Sequence, residues 1–406
     1  MEMTKTIKNE IYKFFKSKKN IIVIILFFAY LLCINFYNLK EYKIYMKEIK
    51  QEYLNNYAQA DGFFMGNARL LVSRSDILTD EEIEEIEKQM EFYKVERSKL
   101  KLIEGKYVNN RPEYYRDILI YKNERYENII KGLNDGVIKE DFLLGKNSNI
   151  EEIQKEVALN QYILDNEIEP VINPYTMTGA NSLVMFLKGN NLIILVFLIA
   201  LLSIDIYLSE VEEGSYKLSY TQPFERKDIF LGKVITILII SMLLIVLGAI
   251  LNFGAISSIY EVGNMNYPFI ANENINQIVF NNNNTEYTIM PLWKYVLLGF
   301  GLLLSIVIFT ITLIICISIF TDSSKKTMGT SIMLLILAFI FDNFLTKQSI
   351  VNLIYPYSYI YIRNAIEVNK RSNYLFGILL NSLMSIGLFI MSYYKFIQKD
   401  FLGTKE

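Results

Sequence analysis

The residues best placed to do chemistry sit in one polar stretch, 209–233, which reads SEVEEGSYKLSYTQPFERKDIFLGK. Three acids, Glu210, Glu212 and Glu213, precede Gly214; then come Pro223, the basic pair Arg226–Lys227, and Gly232–Lys233 leading into an apolar run. Acids at one end and bases at the other suit ion pairing with a partner surface, not bond breaking. Pro223 stops one helix and fits the first turn of the next. The spacing therefore predicts a short helix over 224–231 lying on a membrane surface and offering Arg226 and Lys227 to a partner. An ordinary charged loop has the same composition, and the residues by themselves leave both readings open.

Other chemistry is excluded by composition. The chain has no histidine, so Ser-His-Asp, Cys-His and His-metal sites are absent. Its two cysteines, Cys33 and Cys316, lie inside apolar runs and read as small core residues. No G-x-x-x-x-G-K-[ST] occurs, so the chain carries no P-loop. No catalytic residue and no metal ligand is assigned.

The elements that must position the polar stretch are apolar helices. Of 406 residues 52% are hydrophobic, and they are clumped. Runs of about 18 or more apolar residues match the length of a helix crossing ~30 Å of hydrocarbon. This excludes a soluble enzyme and a membrane β-barrel, whose strands alternate in short segments. The expected fold is an all-α membrane protein with six transmembrane helices, at 21–38, 191–208, 234–253, 295–320, 328–344 and 374–394. Residues 1–20 carry six lysines, with Met3, Ile7, Ile11 and Phe14 on one stripe, and predict an amphipathic helix in the headgroup plane.

Basic residues set the orientation. The N-terminal segment, the 209–233 loop, the 321–327 loop (Lys325, Lys326) and the 395–406 tail are basic and predicted cytoplasmic. The 254–294 segment, which has no basic residue before Lys294, is predicted to lie outside. The 345–373 segment dissents, with Lys347, Arg363, Lys370 and Arg371. Its apolar, tyrosine-rich part, 349–363, predicts a re-entrant or interfacial helix pair broken at Pro356.

Residues 39–190 form one insert after the first span, predicted to be a mainly helical extracellular domain. Thr79 to Glu82 reads as a capping box opening a helix with Ile83, Ile86, Met90, Tyr93 and Leu100 inward and Gly105 as its stop. A second helix is expected from Pro112 to about 131, and a third from Asn149 through Leu164. Three such helices can share a core.

Ionisable groups within spans are functional candidates by default. Asp205 and Asp342 qualify, but both lie near span ends, as wetted carboxylates do, and on opposite sides they make no catalytic pair. Ser305, Thr310, Thr312 and Ser318 are expected to bond their own helix backbone. The walls suit an amphiphilic or lipid-like cargo better than a small ion.

Taken in order, a glutamate-rich run closing in glycine, then a proline, an arginine, and Gly-Lys entering a span resembles the signature of the ABC-2-type transporter permeases. Glu210, Glu213, Gly214, Pro223, Arg226, Gly232 and Lys233 carry the match, while SYKLSYTQ (215–222) is more polar than the family's leucine-rich form. The layout is similar too, including a large insert after the first span, as in one subgroup, and an aromatic-x-x-x-aspartate ending from Phe396 to Asp400. The resemblance implies the transmembrane subunit of a bacterial exporter, with no ATPase site and no cofactor of its own. ATP would bind a separate ABC ATPase subunit. A second permease, identical or not, would complete the transporter in the plasma membrane, without nucleic acid. Docking and coupling would fall on the N-terminal helix and on Glu210, Glu212, Glu213, Gly214, Pro223, Arg226, Lys227, Gly232 and Lys233. The cargo route would follow the dimer interface, spans one, two and five. A different reading fits the same layout: a membrane sensor or accessory protein binding a peptide through its outer domain.

Overall fold

The computed structural model describes residues 2–74, 76–109, 111–139, 150–212, 225–272, 287–321, 323–344, 350–367 and 373–398. The helices are α1 (Glu2–Lys16), α2 (Lys18–Arg74), α3 (Asp80–Asn109), α4 (Tyr115–Asn134), α5 (Ile150–Asp165), α6 (Gly179–Phe186), α7 (Gly189–Glu212), α8 (Arg226–Ile259), α9 (Leu292–Phe320), α10 (Ser324–Phe344), α11 (Ile350–Ile354), α12 (Ile362–Ile366) and α13 (Tyr374–Gln398). Two short strands, β1 (Pro268–Asn272) and β2 (Tyr287–Pro291), pair in a two-stranded sheet. The protein is an all-α membrane protein: α2, α7, α8, α9, α10 and α13 are each long and apolar enough to cross a bilayer.

The chain divides into two compact units. The first holds residues 1–35, 178–263 and 271–406. Its central post is α9, whose Leu302, Leu303, Ile306, Val307, Ile311 and Ile314 are fully buried. Helices α7 and α13 pack on it. Between α9 and α13, Asn381 Nδ2 donates to Ser305 Oγ at 3.2 Å. Ser305, Thr310, Thr312 and Ser318 all donate to carbonyls of their own helix, at 2.7–3.0 Å, which satisfies hydroxyls in an apolar wall. The tyrosine-rich stretch before the last span is helical, broken and helical again: α11, a 3-10 turn at Pro356–Ile360, and α12. Tyr359 there is buried, and its ring lies where a side chain at Gly377 of α13 would stand, 2.4 Å from the position of a Cβ.

The second unit holds residues 36–177 and 264–270. The expected capping box is formed: Thr79 N donates to Glu82 Oε2 at 2.9 Å, and Glu82 N to Thr79 Oγ1 at 3.3 Å. Gly105 does not stop α3. The helix runs on to Asn109, because a mid-helix glycine costs only about 1 kcal/mol and buried Ile103 and Tyr107 hold the turns on either side. Pro112 opens a 3-10 turn that leads into α4.

The core also differs from the expected three helices. Helix α2 continues unbroken past position 38, and its C-terminal half adds Tyr53 and Ala60 to a cluster with Leu100, Ile103, Ile118, Ile129 and Ile153. Within this unit Arg125 Nε donates to Glu96 Oε2 at 2.8 Å, with both side chains almost wholly buried.

Candidate functional site

Four charges meet in the first unit, on three helices. Lys233 Nζ of α8 lies 3.0 Å from Glu210 Oε2 of α7 and 3.2 Å from Glu10 Oε2 of α1. Its third donor reaches the carbonyl of Ile206 at 3.0 Å. Lys13 of α1 pairs with Glu10 Oε1 at 3.1 Å and also with Glu210. Each lysine therefore touches both glutamates, in a closed ring of alternating sign. Lys233, Glu10 and Glu210 are all buried, whereas the Lys13 side chain is 39% exposed. Charges can sit this deep only when paired and hydrogen-bonded. Partial burial lowers the pKa of Lys13, but its hydrogen bond to Glu210 and the charges of both carboxylates outweigh that and hold it above 10.5.

The helices explain how the ring forms. Thr6, Glu10 and Phe14, at four-residue spacing, are the buried face of α1, and α1 packs along α8. The expected amphipathic helix is formed over Glu2–Lys16. The face turned to the protein carries Glu10, while Tyr12 and Phe15 are exposed. Gly232 permits the contact: a Cβ there would stand 2.7 Å from Thr6 Cγ2.

Among the predicted residues, Glu210 and Lys233 come together in the ring. Glu212 points elsewhere, its Oε1 accepting from the backbone N of Ser324 at 2.6 Å, at the N-terminus of α10, where a carboxylate also meets the helix dipole favourably. Arg226 Nη1 donates to the Ile397 carbonyl of α13 at 2.9 Å. Lys227 is exposed and pairs with Glu225 at 2.6 Å. The expected short surface helix over 224–231 is not a separate element. Arg226–Ile259 is one helix, because nothing between Arg226 and Lys233 breaks it and Gly232 is used for close packing. Phe230 and Tyr207 cover Phe396 with ring centroids 5.2 and 5.5 Å away. Glu213, Gly214, Pro223 and Asp400 lie outside the described residues, as do the side chains of Asp205 on α7 and Asp342 on α10.

Glu10 and Lys13 were missed by the reading of the sequence. A signal existed: Glu10 is the sole acid between Met3 and Asn20, and it shares a face with Phe14.

A family model described as ABC-2 family transporter protein matches residues 5–401. Comparison with curated proteins and with solved structures gives no match.

Proposed function

The chain belongs to the ABC-2 transporter family and is a membrane-spanning permease of an ABC transporter, and on that premise we propose that it exports a hydrophobic or amphiphilic cargo under the drive of a separate ATPase subunit. An antimicrobial peptide, a lipid or a drug fits that description. In this reading the protein sits in the plasma membrane with both termini cytoplasmic, and the 39–190 insert lies outside. A second permease, identical or different, completes the path.

The observation that carries the reading is the ring of Glu10, Lys13, Glu210 and Lys233. It joins the amphipathic helix to the end of one span and the start of the next. A force applied by an ATPase to α1 or to the 209–233 loop then reaches α7 and α8 together. ATP binding on the partner shifts the balance between access states through that unit, which needs no ATP site in this chain. Glu213 and Lys227 are the charges assigned to the partner surface. Glu210, Glu212 and Arg226 are assigned to holding the helices that present it.

Charge reversal tests the docking surface. Glu213→Lys with Lys227→Glu leaves expression intact and uncouples ATP hydrolysis from transport. Normal transport by that variant would place the coupling surface elsewhere.

A further inference from the structure

The second unit includes a helical hairpin whose far end none of the described residues buries. The hydrophobic cluster reaches Phe64 on α2 and Phe92 on α3. Between them, none of the described residues 65–91 is buried. Asn67 Nδ2 donates across the two helices to Gln89 Oε1 at 3.2 Å, and Leu71, Ile83 and Ile86 are only half-buried. Apolar side chains stand out from it: Val72 is 84% and Ile77 81% exposed, with Met65 and Leu70 also open. Helices in proteins draw most of their stability from packing an apolar face, and here that face is left open.

Charge decides what fits. Residues 65–91 carry eight acids against three bases, Arg69, Arg74 and Lys88. A second copy of the hairpin would bring the same negative excess and be repelled. A cationic chain is attracted, and an amphipathic one can lay its apolar side along the open face while its basic side meets α3. We propose that the hairpin tip, residues 65–74 and 76–91, is a docking surface for a cationic amphipathic peptide. This deepens the export reading by naming a class of peptide met outside the membrane, and it rests on that reading only for the side on which the hairpin stands.

The full chain in phosphatidylcholine nanodiscs is titrated with a labelled synthetic amphipathic helix of leucine and lysine, without ATP or ATPase subunit. Saturable binding above that of empty nanodiscs is expected, weakening as salt rises. Val72→Ser with Ile77→Ser, and separately Glu87→Gln with Glu91→Gln, should each weaken it by about tenfold or more, the scale of a modest contact loss. All four side chains are exposed, so both variants keep the fold, which circular dichroism verifies. Equal binding by wild type and variants would overturn the proposal. So would equal binding of a leucine–glutamate peptide. Efficient cross-linking of Val72→Cys between copies, in a Cys33→Ser background, would overturn it in favour of a second copy as the occupant. Because no nucleotide is involved, failure here leaves the permease reading standing, and loss of coupling in the docking variants leaves this one standing.

Discussion

Lys233 on α8 lies 3.0 Å from Glu210 on α7, and both side chains are buried near the ends of their helices. Two helices that cross a membrane are thereby tied by charge where they approach the polar stretch between them. Glu10 and Lys13 extend the tie to α1.

Removing one member of the ring strands the others. Lys233→Met leaves two buried carboxylates facing one half-exposed lysine, at a cost of about 3–5 kcal/mol. Lys233→Met with Glu10→Met restores neutrality and should recover much of that loss. Lys13→Ala removes a side chain 39% exposed to solvent, which water replaces in part, so its cost should be smaller than that of Lys233→Met. Thermal unfolding in detergent, followed by tryptophan and tyrosine fluorescence, ranks the three. Equal losses for Lys233→Met and Lys13→Ala would contradict the burial argument.

Gly232 is required by space, not by backbone conformation. Gly232→Ala drives a methyl group toward Thr6 Cγ2, which is 2.7 Å from the Cβ position. The overpacking costs about 1–3 kcal/mol. Thr6→Ser removes that methyl and should restore part of the loss in the double variant. Melting temperatures of the two single variants and the double measure the coupling, and strict additivity would refute the contact.

The insert has its own buried pair. Arg125→Met leaves Glu96 charged in an apolar core and should cost about 3–5 kcal/mol, whereas Glu96→Leu with Arg125→Met should recover most of it. Limited proteolysis of the full chain reads the effect: cleavage within 80–134 rises in the single variant and falls back in the double.

The capping box gives a pH dependence. Glu82 accepts hydrogen bonds from the backbone and hydroxyl of Thr79, and these hold its carboxyl below 4.5. Its folded pKa lies below the unfolded one, so its contribution is present above 4.5 and lost as pH falls through the folded value. The stability gap between wild type and Glu82→Ala should stay constant from neutral pH down to about 4.5 and narrow from there as pH falls through the folded value. A gap that widens in acid would reverse the sign and exclude the cap as its cause.

Much of this fold was legible because the bilayer demands long apolar runs. Every predicted span falls within an observed helix, and the capping box fell where Thr79 and Glu82 put it. What escaped depended on contacts between distant segments. No helix was assigned between position 38 and Thr79, although Met46, Ile49, Tyr53, Ala60 and Phe64 follow helical spacing and turn inward. The strand pair lies in an asparagine-rich segment where no periodicity announced it. Glu210 and Lys233 stood out in their stretch, but Glu10 was hidden by lysines. Only packing reveals that α1 turns Thr6 and Glu10 inward along with Phe14.

The central claim is that this permease works with a separate ATPase subunit. The most direct measurement is purification of the tagged full chain from its native membrane in mild detergent, with mass spectrometry of what accompanies it. The account predicts a P-loop ATPase in stoichiometric amount, lost from Glu213→Lys with Lys227→Glu. Full recovery of the permease with no ATPase, across several detergents, would contradict it.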